Sequence, residues 1–301
     1  MRVFLTGATG FLGRAVSVEL EARGHAVSRL VRPVADREIG PDDIGGDLFA
    51  PNTYRAALAA FAPQALVHCG WWGVATADRN DRRQLDNIVA TGALVDAGLR
   101  AGCRIFVGTG SQAEYGPCEG RTREDHAPNP KTLYGVSKVA AGQAFLSLVQ
   151  AAGGRAAWGR VFSLYGRDDG SRTLIPFLVD QFRKGEAPTV TRCEQVWDYL
   201  HVSDAARAVV ALLECEKASG TFNIGSGAPI ALRDVVTQLR DILAPGIEPL
   251  FGAVPYRSDQ VMHLEADVAR LCLTTGWAPR VSLQDGLRES AGVAEIQMAH
   301  S

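Results

Sequence analysis

Tyr134 and Lys138 are the side chains of this sequence best suited to move a proton during a reaction. They lie four residues apart in a stretch of helical character, so the phenol and the ammonium share one helix face. A free phenol has a pKa of about 10 and is a poor acid or base at neutral pH, but a nearby cation lowers that pKa. An exposed Tyr and Lys on a helix surface would give the same spacing, so both interpretations stay open at this point.

A hydroxyl group at Ser111 could act beside this pair. Ser111 lies just beyond a predicted buried strand, Arg104–Thr109, and small residues around it leave room for a ligand. There the hydroxyl could hydrogen-bond a substrate oxygen, or it could bond its own backbone in a turn.

The first turn of the chain has a glycine spacing suited to dinucleotide binding. Gly7, Gly10 and Gly13 lie between an apolar run of strand character and a helical pattern. Glycine allows a tight exit from the strand and a close approach of the backbone to a pyrophosphate, while the first N–H groups of the helix face the phosphates. This context favours dinucleotide binding over ordinary turn chemistry, although the spacing differs from the G-x-G-x-x-G of common dehydrogenases.

Alternating strand and helix patterns provide the frame for these residues. The predicted strands are Arg2–Thr6, Ala26–Val31, Ala65–Cys69, Arg104–Thr109 and Ala156–Phe162. The predicted helices between them include Gly13–Arg23, Tyr54–Phe61, Asp81–Ala101 and Tyr134–Ala152. This alternation predicts an α/β fold, a Rossmann-type doubly wound parallel sheet, whose strand carboxyl ends meet at one ligand-binding crevice.

The pattern loosens in the second half of the chain and predicts a smaller, interleaved C-terminal substrate-binding domain. The elements expected there are helices Leu174–Lys184, Ser203–Glu214 and Ala231–Leu243, and strand-like runs Val196–Val202 and Thr221–Ile224. Ser203 or Asp204 would cap the second of these helices. The NAD(P)-binding Rossmann domain is expected to span residues 1–165, rejoined by about 200–226, and the smaller domain residues 166–199 and 227–301.

Composition argues against several kinds of partner. The 301 residues are 47% hydrophobic and 21% charged, with a formal net charge of −2. The lack of a basic run argues against a nucleic-acid partner, and the lack of roughly eighteen consecutive apolar residues argues against a membrane span. The six cysteines and six histidines are scattered, so we expect no metal site and a reduced, cytoplasmic location.

Together these stretches resemble the extended short-chain dehydrogenase/reductase family, in its nucleotide-sugar epimerase/dehydratase/reductase branch. Thr6–Gly13 matches the family opening T-G-x-x-G-F-[IL]-G, Tyr134 and Lys138 match Y-x-x-x-K, and Ser111 matches the hydroxyl four residues before Y-G. Further matches run over nearly the whole chain, at Gly46-Asp47-Leu48, Asn87, Pro176, Asp198-Tyr199, Val202, Asp204, Asn223-Ile224-Gly225, Arg257 and Gly276-Trp277-Ala278-Pro279.

The resemblance implies a role for each candidate residue. Tyr134 would be the general acid or base, Lys138 would bond the nicotinamide ribose and lower the pKa of Tyr134, and Ser111 would hold the reacting sugar oxygen, while the cofactor supplies the hydride. The implied cofactor contacts are Gly7, Thr9, Gly10, Phe11, Leu12, Gly13, Arg29, Arg32, Asp47, Leu48, Cys69, Gly70, Trp71, Asn87, Thr109, Tyr134, Lys138, Val161 and Phe162. The implied substrate contacts are Trp72, Ser111, Gln112, Ala113, Ser163, Arg172, Leu174, Trp197 and Arg257.

Departures from the family pattern narrow the reaction. Nucleotide-sugar 4,6-dehydratases carry Asp-Glu, or at least Glu, directly after the hydroxyl, but here Gln112 and Ala113 occupy those places and Glu114 comes one position late. Fucose-type 3,5-epimerase/reductases carry a Cys near this point, whereas Cys118 lies past the motif. Both reactions are therefore disfavoured.

The end of the second predicted strand bears on the choice of cofactor. NAD enzymes usually place an acidic residue there to bond the ribose 2′-hydroxyl, but this sequence has Val31 followed by Arg32. Arg29 or Arg32 could bind a 2′-phosphate through two hydrogen bonds. The sequence therefore favours NADP, with NAD as the alternative.

Two features bear on the substrate. The family's arginine before the Asp-Tyr element is replaced by Trp197, while the second phosphate-binding arginine is matched by Arg257, and Arg172 or Arg192 could replace the missing cation. The pair Trp71-Trp72 could wall an apolar pocket for a deoxy-sugar methyl group, or could be partly buried core.

The leading hypothesis is an NADPH-dependent 4-ketoreductase of a nucleoside-diphosphate 4-keto-6-deoxyhexose, and the alternative is a nucleotide-sugar 4-epimerase with tightly bound NAD. Two further alternatives are a reductase of ketones without a nucleotide and a non-catalytic dinucleotide sensor; such sensors typically lose the tyrosine and lysine that are present here. By the resemblance, the helices carrying Asn87–Ala101 and Tyr134–Val149 pair with those of a second subunit, so we expect a homodimer.

Overall fold

The computed structural model describes residues 1–34, 39–170, 173–257 and 260–293. Its strands, in chain order, are β1 Arg2–Thr6, β2 Ala26–Val31, β3 Ile44–Gly45, β4 Ala65–His68, β5 Ile105–Ser111, β6 Arg155–Val161, β7 Ser163–Tyr165, β8 Thr189–Val190, β9 Val196–Trp197, β10 Tyr199–His201, β11 Gly220–Ile224, β12 Ile230–Ala231 and β13 Leu250–Phe251. Its α-helices are α1 Phe11–Ala22, α2 Arg55–Phe61, α3 Gln84–Arg100, α4 Leu133–Ala151, α5 Leu174–Arg183, α6 Val202–Glu214, α7 Leu232–Leu243, α8 Ala269–Thr275 and α9 Leu283–Ser290. Short 3-10 segments lie at Pro51–Thr53, Thr76–Asp78 and Gln112–Glu114.

Within these described residues, seven strands form a central parallel sheet in the order β11-β6-β5-β4-β1-β2-β3. Thr6 at the end of β1 aligns with Leu30 of β2 and with His68 of β4. The chain order reverses between β1 and β4, and in open α/β sheets ligands bind outside the carboxyl ends of the strands at such a reversal. The crevice that the sequence predicts therefore lies beside these two strands.

Helices cover both faces of the sheet. Helix α1 packs against α6 on one face, and α3 packs against α2 and α4 on the other. Alternate side chains of β1 enter the two apolar cores, with Val3 and Leu5 in one and Phe4 in the other. The predicted Rossmann-type, doubly wound fold is confirmed, because strands buried on both faces need a helical layer on each side.

The predicted elements differ from the observed ones mainly around α6. The five predicted strands of the first half are present with ends shifted by no more than two residues. The run Val196–Val202 is not one strand, because it divides into β9, β10 and the first residue of α6. The predicted cap of α6 was also wrong: His201 caps the helix, and its Nδ1 accepts a hydrogen bond from the Ser203 N–H at 3.3 Å.

The second half of the chain builds a further apolar core, in which α5, α7 and α9 pack together. Two fully buried aspartates accept hydrogen bonds from the backbone of segments that are distant in sequence. Asp198 accepts hydrogen bonds from the backbone N–H groups of Ser226 and Gly227, and Asp204 accepts one from that of Arg280. Loss of either carboxylate would leave these N–H groups unpaired in the interior.

No helix in the described ranges combines the length and the apolar character that crossing a membrane requires. The same ranges contain no cluster of three His, Cys, Asp or Glu side chains that could hold a metal ion.

Candidate active site

Ser111, Tyr134 and Lys138 lie together at the carboxyl edge of the sheet. Strand β5 ends at Ser111, and the first two turns of α4 carry Tyr134 and Lys138. All three residues are less than one tenth exposed. Ser111 and Tyr134 line the same cavity, and the Ser111 Oγ accepts a hydrogen bond from the Ala113 N–H at 3.2 Å. Lys138 Nζ donates to the Thr109 carbonyl at 2.7 Å. The fold thus brings together the three side chains for which the sequence predicts catalytic roles.

Opposing effects act on the pKa of Tyr134. Burial raises it above the ordinary value of 10.0, and the negative charge of Glu114 acts in the same direction. The hydrogen bond from Ser111 and the positive charge of Arg79 lower it. Lys138, which the family resemblance predicts to lower this pKa, has its ammonium 5.9 Å from the centre of the phenol ring.

Lys138 lies in an apolar and aromatic environment. Burial lowers its pKa from 10.5 to about 7, against the raising effect of the Glu114 charge. Its ammonium lies 3.8 Å from the centre of the Trp71 ring, which is a cation–π contact. The Trp71 indole N–H donates to Gln84 Oε1 at 2.9 Å, so the ring that supports Lys138 is itself held in place.

Glu114 holds Ser111 from behind and does not face the crevice. Its Oε1 accepts hydrogen bonds from the Ser111 N–H at 2.9 Å and from the Trp158 indole at 3.0 Å. Its Oε2 accepts one from Arg160 Nε at 2.7 Å, and only 1% of Glu114 is exposed. A buried carboxylate with these partners acts as a structural brace for Ser111. Glu114 therefore does not replace the acid–base carboxylates that dehydratases carry directly after the residue matching Ser111.

The first turn of the chain forms a close-packed cradle. Gly7 has a φ of +76°, and a Cβ there would lie 2.5 Å from the backbone of Cys69 and of Gly70. A Cβ at Gly13 would overlap the Gly7 carbonyl oxygen. Helix α1 begins directly after Gly10 and, within Phe11–Ala22, has neither a capping side chain nor an acidic residue in its first turn. Its first N–H groups can therefore bind an anion, as the pyrophosphate of a dinucleotide requires.

The two arginines predicted to bind a 2′-phosphate differ in their surroundings. Arg29 forms ion pairs with Asp43, at 2.7 Å, and with Glu21, so its guanidinium is already neutralised by two carboxylates. Arg32 directly follows β2, is 60% exposed at its side chain, and lies 3.6 Å from Asp47. Leu48 reaches the same edge, since its side chain lies beside Gly70. Of the two arginines, Arg32 is the better placed for an incoming phosphate.

The side chain of Asn87 fixes the loop after β4 through hydrogen bonds to its backbone. The Asn87 side chain accepts a hydrogen bond from the Trp72 N–H at 2.9 Å and donates one to the Trp72 carbonyl at 3.2 Å. The Trp72 ring packs on the guanidinium of Arg83 at 4.0 Å. Trp71 packs on Lys138, and neither tryptophan is among the described residues that line the cavity beside Tyr134.

A cavity of about 380 Å³ opens beside Tyr134. The residues lining it that the sequence predicts to contact cofactor or substrate are Phe11, Ser111, Gln112, Tyr134, Val161, Phe162, Ser163, Leu174, Trp197 and Arg257. Trp72 and Ala113 are not among its described lining residues, and Arg172 lies outside the residues that the structure describes. Trp197 donates its indole N–H to the Val261 carbonyl at 2.8 Å, so it forms part of the wall.

Sequence reasoning missed two charged residues of this cavity. Arg79 follows the 3-10 segment in the loop between β4 and α3, and Asp169 lies shortly after β7. Burial raises the pKa of Asp169, while the Thr173 hydroxyl donates to its Oδ2 at 2.7 Å. Both residues lie in loops that follow the carboxyl ends of strands, and that position alone could have marked them as candidates.

Comparison with known proteins agrees with this geometry. Residues 3–225 match the model of the NAD dependent epimerase/dehydratase family. The chain belongs to this family. It is an NAD(P)-dependent enzyme of the extended short-chain dehydrogenase/reductase branch, as the motifs predict.

The relatives of this family member include both reductases and epimerases. It is 27% identical over 302 residues to the GDP-6-deoxy-D-mannose reductase of Pseudomonas aeruginosa, covering 95% of each chain. It is 27% identical over 304 residues to a UDP-glucose 4-epimerase of Corynebacterium glutamicum, covering 93% of this chain and 91% of the relative. A solved structure, RMD from Pseudomonas aeruginosa complexed with NADPH, superposes with a TM-score of 0.82 at 25% identity, covering 97% of this chain and 98% of that one.

Proposed function

We propose that this enzyme uses NADPH to reduce the 4-keto group of a nucleoside-diphosphate 4-keto-6-deoxyhexose. The observation that carries the proposal is the arrangement around Ser111. Ser111 and Tyr134 face the cavity, whereas Glu114, the nearest carboxylate in sequence, is buried in an ion pair with Arg160. A site built in this way supports one proton transfer at one carbonyl group, and dehydration would need an additional acid–base pair.

The described residues fit a nicotinamide dinucleotide and the reduction of a ketone. Gly7, Gly13 and the open start of α1 would hold the pyrophosphate, and Arg32 would bind a 2′-phosphate. When bound, the cofactor supplies a hydride to the ketone carbon. Ser111 donates a hydrogen bond to the ketone oxygen, and Tyr134 delivers a proton to it, so the C=O group becomes CH–OH.

The second candidate is a nucleotide-sugar 4-epimerase that holds NAD tightly. The similarity to the epimerase of Corynebacterium glutamicum favours it, because the same tyrosine could first accept and then return a proton. A reductase of ketones without a nucleotide ranks lower; the tryptophan at position 197, where the family has a phosphate-binding arginine, is its support. A non-catalytic sensor ranks last, because Ser111 and Tyr134 line the cavity and Lys138, one helical turn after Tyr134, bonds the Thr109 carbonyl near the end of β5.

Bound nucleotide distinguishes the first two candidates. The purified protein is denatured and the released nucleotide identified; the native protein is then titrated with NADPH and with NADH by fluorescence. We expect little co-purifying nucleotide, a preference for NADPH, and turnover of a 4-keto-6-deoxy sugar nucleotide. Stoichiometric NAD that does not exchange, with interconversion of 4-epimers, would overturn the reductase in favour of the epimerase.

Replacing Tyr134 by Phe tests the role of the phenol. We expect Tyr134→Phe to bind NADPH normally and to lose on the order of 10² to 10⁴-fold in kcat, the usual contribution of a general acid or base. The matched control is Tyr54→Phe, because the Tyr54 hydroxyl is buried with no hydrogen-bond partner among the described residues. An unchanged kcat in Tyr134→Phe would remove this residue from the mechanism.

We further propose the assembly and the domain division that the sequence predicts. The outward-facing sides of α3 and α4 carry apolar residues, Leu85, Val89, Val136 and Leu148, and these would pack in a homodimer. The core formed by α5, α7 and α9 would belong to the substrate-binding domain, which closes the cavity over Ser111 and Tyr134.

A further inference from the structure

Arg79 is the cationic side chain that contacts the reactive tyrosine from outside α4. Its guanidinium carbon lies 5.3 Å from the centre of the Tyr134 ring, and it lines the cavity together with Ser111 and Tyr134. No carboxylate lies within ion-pair distance of it in the described part of the chain. Its Nε donates a hydrogen bond to the Val74 carbonyl at 3.4 Å, so its charge lies beside the phenol and the cavity without being neutralised by a neighbouring acid.

Two hydrogen bonds to the start of α4 fix the loop that carries Arg79. The Arg79 carbonyl accepts a hydrogen bond from the Tyr134 N–H at 2.8 Å, and Asn80 Oδ1 accepts one from the Leu133 N–H at 3.0 Å. These bonds satisfy two of the N–H groups at the start of α4, which have no partner within the helix. The loop that carries Arg79 is thereby attached to the helix turn that carries Tyr134.

We propose that Arg79 is a positioning residue for proton transfer at Tyr134: it stabilises the phenolate form and so makes the phenol a better acid. The inference rests on the proposed function only in taking Tyr134 as the acid–base group. The same charge would act on a ketoreductase or an epimerase.

The other groups around Tyr134 do not replace this charge. The groups that act on the phenol or share its cavity are Lys138 on α4, Ser111 at the end of β5, Glu114 in the 3-10 segment that follows, Asp169 after β7, and Arg257. Ser111 is neutral, and the Glu114 carboxylate raises the pKa of Tyr134, whereas Asp169 and Arg257 line the cavity without being among the causes of that shift. Lys138 lies 5.9 Å from the ring centre, and burial lowers its pKa to about 7, which disfavours its charged form.

The test reads the phenol directly and needs neither cofactor nor substrate. A difluorotyrosine is placed at position 134 of the full chain, because ring fluorination lowers the phenol pKa into a range in which the protein stays folded, and its fluorine NMR signal is titrated. We expect Arg79→Gln to raise this pKa by about one pH unit, the lower end of the shift that a neighbouring opposite charge produces. Arg79→Lys keeps the charge and should retain most of the lowering.

Arg83→Gln is the matched control, because Arg83 also packs on an aromatic ring of the same loop but is not among the described residues that line the cavity. It should leave the titration unchanged. Equal pKa values in Arg79→Gln and Arg83→Gln would overturn the inference. A raised pKa in Arg79→Gln, in a protein that turns over no nucleotide sugar, would support the inference while refuting the proposed function.

Discussion

At the scale of single residues, Lys138 shows how the site balances charge against burial. Its ammonium has one backbone acceptor and the face of Trp71, and no carboxylate lies within ion-pair distance of it among the described residues. Such an environment disfavours the protonated form, which lowers the pKa of Lys138 from 10.5 to about 7. A lysine close to its titration point can gain or lose a proton as ligands arrive.

This pKa shift predicts a dependence of stability on pH. Between about pH 7 and pH 10 the unfolded chain holds a proton on Lys138 that the folded chain has lost, so the free energy of unfolding should rise with pH through this window. Lys138→Met removes this contribution. Urea unfolding at pH 7, 8 and 9 should therefore show that the wild type gains stability relative to Lys138→Met as the pH increases.

Lys184→Met serves as the control for this series. Lys184 is an exposed residue paired with Asp180, which raises its pKa, so it stays protonated over the whole window in both states. Its stability difference from the wild type should not change with pH. Parallel pH profiles for the wild type and Lys138→Met would contradict the assigned shift.

At the scale of elements, the β1–α1 turn and the 3-10 segment after β5 do the positioning. The first depends on the absence of side chains, since β1, α1 and the end of β4 approach too closely for a Cβ at Gly7 or Gly13. The 3-10 segment depends instead on a side chain, since the Glu114 carboxylate accepts a hydrogen bond from the Ser111 N–H and completes a capping box with Ser111. In both cases the local packing fixes the backbone: at the first N–H groups of α1 in the turn, and at Ser111 before the 3-10 segment.

Gly13→Ala tests the turn. The added methyl group would overlap the Gly7 carbonyl oxygen, so α1 must move away from β1. We expect a loss of about 1 to 3 kcal/mol in the free energy of unfolding, as for other overpacked sites, and at least a tenfold weaker NADPH affinity. Urea unfolding and fluorescence titration measure the two effects.

Gly246→Ala is the comparison for this variant. A Cβ at Gly246 would meet nothing within 4 Å among the described residues, so stability and NADPH affinity should both stay near the wild-type values. If Gly13→Ala also kept the wild-type stability and NADPH affinity, dinucleotide binding would not depend on close packing at this turn.

At the scale of the whole molecule, α4, which carries Tyr134 and Lys138, and its neighbour α3 both expose apolar side chains. Val89 on α3 is 73% exposed, and Leu85 lies one turn before it on the same helix face. Leu148 on α4 is 43% exposed. Exposed apolar side chains on adjacent helices are typical of a protein–protein contact.

Val89→Lys tests the proposed dimer. The change places a charge within the proposed interface at a side chain that is 73% exposed, so we expect a folded monomer in place of a dimer by size exclusion with light scattering. Val18→Lys, on the exposed side of α1 and 56% exposed, should leave the assembly unchanged. A monomeric wild-type protein would refute the homodimer.

The sequence by itself determined those features that depend on neighbours along the chain. The glycine turn, the five strands of the first half and the four-residue spacing of Tyr134 and Lys138 are local patterns, so their periodicity and turn chemistry were sufficient. The family motifs placed Ser111 near this pair. Short elements such as β3, α8 and α9 left too little periodicity to be recognised.

Only the tertiary structure decided which distant side chains act on each other. Arg79 contacts the Tyr134 ring, Glu114 forms an ion pair with Arg160, and His201 caps α6. The spacing of these residues along the sequence does not predict the contacts. They follow from the order of the strands in the sheet and from the packing of loops at its edge. A sequence pattern records which residues face the same side of an element, whereas the partner of a buried charge depends on which elements the fold brings together.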